Sequence, residues 1–174
     1  NALHDLGERW ISDEFKIKLV ETLSTFLRVF ITSETKLSVQ LEPYQISIPS
    51  WEMHSVLSGA SLLIGESSTM AAEAAVLGVP AIFIDNQGRG YTNELEEKYG
   101  LVYNFKATPH GLNDAINKAI LLLQMPNQQE YFQKLRGQML SEKIDVTAFF
   151  VWFVEEYPQS FKIMKENPKS SPQI

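Results

Sequence analysis

Apolar residues in this chain gather into short unbroken runs separated by stretches of helical spacing. The runs are LRVFIT at 27–32, QISI at 45–48, SLLI at 61–64, AIFI at 81–84 and LVYNF at 101–105. Each is too short for a helix and reads as a strand buried on both faces, the pattern of parallel sheets. Between them, Ser12 is a candidate N-cap with Asp13 and Glu14 in the first helical turn. Phe15, Leu19, Leu23 and Phe26 follow at core-facing helical positions. Trp51–Leu57, Met70–Leu77, Asn93–Tyr99, Pro109–Met125 and Asn127–Leu140 read as further helices, with Gly78 and Gly100 as C-caps and Pro80 as a stop. Strands alternating with helices predict an α/β protein with a three-layer, Rossmann-like, doubly wound parallel sheet. Five strands are expected where a Rossmann-type half carries six. The first, which would lie before Asn1, is read as missing from this chain.

The stretch 146–157 is apolar on most sides, so burial against something is expected, and Pro158 ends it. One domain over 1–157 and a C-terminal tail over 158–174 are the expected organisation. The formal net charge of −6 argues against a nucleic-acid backbone as partner. Absence of cysteine removes disulfides and thiolate chemistry and is compatible with a cytoplasmic location. No run is long enough for an integral membrane segment; AFFVWFV at 148–154 stops at Glu155 and Glu156. That face suits either a companion domain or a homo-oligomer contact. His4, His54 and His110 are far apart and form no HExxH motif, so no metal is expected. Ser67 lacks a GxSxG setting, and no carboxylate pair has recognisable glycosidase spacing.

The remaining chemistry concentrates in SLLIGESSTMAAEAAVLGVPAIFID, residues 61–85. Its turn, Gly65-Glu66-Ser67-Ser68-Thr69, sits at the carboxyl end of one strand and the amino end of a helix. Ligands of open α/β sheets bind at such ends, and free helix N–H groups favour an anion. Simple helix capping accounts for the hydroxyls equally well. The segment GESSTMAAEAAVLGVPAIFID resembles the nucleotide-sugar signature in the C-terminal domain of GT-B-fold enzymes. Together with NALHD, GRGYTNELEEKYGLVYNF and DVTAFFVWFVE, it makes the chain similar to the DUF354 group of glycosyltransferase-like proteins. UDP-N-acetylglucosamine 2-epimerases and MurG-type transferases are more distant.

That resemblance implies the donor half of a glycosyltransferase, with a nucleotide-sugar, UDP-linked, as substrate and no cofactor. An N-terminal GT-B domain would be its companion, and the half alone would be inactive. Gly65, Glu66, Ser67, Ser68 and Thr69 would hold the diphosphate, and Glu73, one turn beyond Thr69, the ribose hydroxyls. Glu73 is otherwise a surface glutamate stabilised by the helix dipole. The epimerases have Ser-Gly-Gly where this chain has Ser67-Ser68-Thr69, which exchanges close backbone approach for hydroxyls. Arg89, between glycines, would pair with a phosphate, or else is a surface arginine. Trp51 would stack on the base or pack in the core, while His54 reads as an ordinary helix residue. His4 is the candidate proton carrier, with phosphate or sugar contact as its other role. A 2-epimerase-like enzyme and a non-catalytic binding module of the same fold are the alternatives.

Overall fold

The computed structural model describes residues 11–33, 35–88 and 90–167. His4 and Arg89 therefore lie outside the described residues. The chain divides into two compact units, 1–136 and 137–174, with the boundary inside a helix.

The first unit is mixed α/β around a small, open, three-stranded parallel sheet in the order β1-β2-β3. Its strands are β1 (Leu63–Gly65), β2 (Ala81–Ile84) and β3 (Val102–Phe105). Leu63 is in register with Ala81, and Ala81 in turn with Val102. Every β2 residue is buried, so the strand is covered on both faces, because successive side chains point to opposite sides. Helices α1 (Asp13–Leu23), α2 (Met53–Ser58), α3 (Ser68–Leu77), α4 (Gly90–Glu97), α5 (Pro109–Leu123) and α6 (Gln128–Ser141) complete the order. A short 3-10 turn, Ser50–Glu52, runs directly into α2.

α3 and α5 both pack on β2. α3 does so through Ala71, Ala74 and Ala75, whose small side chains let the helix lie close to the sheet. Alanine is also the strongest helix former, so propensity and packing agree here. The helix stops at Gly78, where φ is +78°, a conformation a side chain resists. Its last carbonyls are satisfied from α6: Gln133 Nε2 donates to Leu77 O at 2.9 Å and Arg136 Nε to Val76 O at 2.6 Å.

Two of the five expected strands are not strands. Ile31 forms a single parallel bridge with Gln45, made by Ile31 N–H to Tyr44 O and Ile46 N–H to Ile31 O. Val29 and Ile31 pack on Val20, Leu37 and Leu41, but Phe30 between them is 52% exposed, its ring under Arg28. The unbroken apolar run is thus buried on one side only. Phe26, expected in the core, follows the end of α1 and is exposed.

The second unit holds α7 (Val146–Glu155) and α8 (Gln159–Glu166). Asp145 caps α7 by accepting from Ala148 N–H at 2.9 Å, and buried Ser160 donates to Phe153 O at 2.6 Å, tying α8 to α7. Gln159–Glu166, within the expected C-terminal tail, is a helix. Within this chain none of α7 is buried, and Phe150, Val151 and Val154 are exposed. No helix among the described residues is long and apolar enough to cross a membrane.

Candidate functional site

The turn between β1 and α3 supplies the first component. Ser67 is the N-cap, and its Oγ accepts from Met70 N–H at 3.3 Å. Capping therefore uses the hydroxyl that was a candidate ligand. The next two amides, Ser68 and Thr69, donate to nothing among the described residues. That leaves two free N–H groups on the positive end of a 10-residue helix. An added Cβ at Gly65 would meet nothing within 4 Å among the described residues.

Glu66 is turned toward the start of α1. Its Oε1 accepts a short hydrogen bond from Ile11 N–H. Burial lifts the Glu66 carboxyl above the ordinary glutamate range, although the Ile11 amide and the charge of Lys16 pull it the other way. A carboxylate beside an anion site is thereby occupied as a latch between α1 and α3. The sign of its effect on stability follows from the raised value. The folded state holds the Glu66 proton more tightly than the unfolded chain, so stability falls as pH rises from the ordinary glutamate pKa through the raised one. Glu66→Gln keeps the acceptor for Ile11 and removes the buried charge. It is expected to melt above the wild type near pH 7, with the difference closing toward pH 4, as read by thermal denaturation across that range.

Glu73 lies one turn beyond Thr69 on the same side of α3. Its Oε2 is 3.2 Å from His54 Nε2 on α2, which packs against α3. Its Oε1 takes no hydrogen bond among the described residues. The pair is accessible, His54 at 63% and Glu73 at 35% exposure. Trp51 stands one turn before His54 on the continuous 3-10 and α2 run, and its ring is 81% exposed. Trp51 is therefore not packed in the core formed by the described residues.

The free amides and Glu73 share α3, and His54, which contacts Glu73, shares the 3-10 and α2 run with Trp51; these four are called the row below. It offers an anion contact, an acceptor for hydroxyls and a flat apolar surface. His54 is the member that sequence reasoning missed. The three-residue step from Trp51 to His54 put both on one helix side, but only tertiary packing brings Glu73 to His54. Hollows of about 240 Å³ at Met125–Lys134 and about 120 Å³ between α1 and Gln40–Tyr44 share no residue with the row, which is an open face. Compared with protein-family models, curated proteins and solved structures, the chain finds no match in any of the three.

Proposed function

We propose that this chain is the nucleotide-sugar-binding half of a GT-B-like glycosyltransferase of the DUF354 type. β1, β2 and β3 are then part of a larger Rossmann-like, doubly wound sheet. The observation that supports the reading is the His54–Glu73 contact between α2 and α3, which brings the helix that carries the free amides together with the run that carries exposed Trp51. The Ser68 and Thr69 amides take the phosphates, Glu73 accepts from the ribose hydroxyls, and Trp51 stacks on the base. In transfer, the bond between the anomeric carbon and the diphosphate breaks, and negative charge grows on the departing oxygen. Helix N–H groups aimed at that oxygen stabilise the charge as it develops.

Titration calorimetry of the chain with UDP, GDP, CMP and their sugar derivatives tests this. One nucleotide is expected to bind, and Glu73→Ala to weaken it roughly tenfold to a hundredfold, the worth of a hydrogen bond to a charged group. No binding by any of them would overturn the assignment. Among bound nucleotide sugars, a new glycoside identifies transfer and a converted sugar identifies 2-epimerisation. Binding without turnover by the chain paired with a companion N-terminal domain identifies a binding module.

A further inference from the structure

We infer that His54 is a positioning residue for Glu73, and that the pair makes the site select ribonucleotides over 2′-deoxyribonucleotides; this rests on the reading of the row as a nucleotide site. The contact runs between two helices rather than along one, from α2 to α3, with Nε2 of His54 at 3.2 Å from Oε2 of Glu73. Nε2 is a donor both in the neutral Nε2–H tautomer and in the imidazolium. Neither residue is held by the core, so each fixes the other.

A lone glutamate on a helix surface samples several rotamers and must be ordered when a ligand arrives. Ordering one such side chain beforehand is worth roughly threefold to tenfold in affinity. With Oε2 anchored, Oε1 and the second lone pair of Oε2 remain to accept from two hydroxyls. A vicinal 2′,3′-diol supplies both donors and a 2′-deoxyribose only one. The pinned carboxylate cannot swing to recover the lost bond. The lost charge-assisted hydrogen bond predicts a ribo-over-deoxyribo preference of roughly tenfold to a hundredfold. Trp51, exposed one turn before His54, puts a stacking surface for the base on the same helical run as the residue that positions the acceptor.

The test titrates UDP against 2′-deoxy-UDP, and GDP against 2′-deoxy-GDP, into the wild type, His54→Ala, His54→Gln and Glu73→Ala. Far-UV circular dichroism checks each variant's fold. His54→Ala is expected to weaken the ribonucleotide about threefold to tenfold and to lower the ribo-to-deoxyribo ratio. His54→Gln, which retains a donor, should restore both. Against Glu73→Ala, adding His54→Ala should change nothing further. If UDP or GDP binds and Glu73→Ala weakens it, but His54→Ala leaves the ratio unchanged, the positioning role is overturned and the nucleotide site stands. If neither ribonucleotide binds, this inference is overturned, and the nucleotide site falls with it when CMP and the nucleotide sugars fail as well.

Discussion

Phe83→Ala is expected to cost about 3–5 kcal/mol and to shift the urea midpoint strongly downward at unchanged slope. Phe83 sits in β2, the middle strand, and is only 2% exposed. Its neighbours in the strand, Ile82 and Ile84, are equally enclosed, so collapse around the vacated ring is restricted. The lost transfer free energy is then joined by the cost of a cavity. Domains of this size have about 5–15 kcal/mol in all, so the variant would approach the threshold for folding. A midpoint loss below about 1 kcal/mol would mean that β2 is not at the centre of the core.

Gly111→Ala sets two effects of opposite sign against each other. Gly111 is the third residue of α5 and lacks a positive φ, and its N–H donates to the Thr108 cap at 3.1 Å. Helix propensity alone predicts a gain of about 1 kcal/mol from alanine. An added Cβ, however, would run into the backbone carbonyl oxygen of Lys106, which cannot rotate aside as a flexible side chain would. Overpacking of this kind costs about 1–3 kcal/mol, and contact with a main-chain atom belongs at the upper end. A net loss of about 2 kcal/mol is expected by chemical denaturation, and a gain would show that the loop from Lys106 to Thr108 yields freely.

The parts of the fold that could be read from the chain are those where local signals agree. Apolar runs with Gly or Pro at one end, Gly65, Pro80 and Gly100, marked β1, β2 and β3, while Ser12, Ser67 and Gly78 stand at helix boundaries as their chemistry requires. LRVFIT failed because an unbroken apolar run does not say how many of its sides are covered. Phe30 is open to solvent where Val29 and Ile31 are not. For the candidate site, the place of Glu73 on α3 followed from spacing. Its partner did not, because a contact between residues 54 and 73 depends on how α2 packs against α3. Glu66 was expected among the residues holding the diphosphate, but its carboxylate accepts from Ile11 N–H instead. Only the fold supplied that amide.

The hydrogen bonds from Gln133 and Arg136 to the last carbonyls of α3 make that helix a rod clamped at one end. The clamp lies 56 and 60 residues downstream in sequence, past two strands and two helices. A piece cut in the turn after α5 would keep every strand of the sheet and every member of the row. It would nevertheless leave the tail of the central rod unanchored, with a guanidinium no longer offsetting its negative pole. A fragment that keeps both ends of α3 satisfied therefore extends through Arg136.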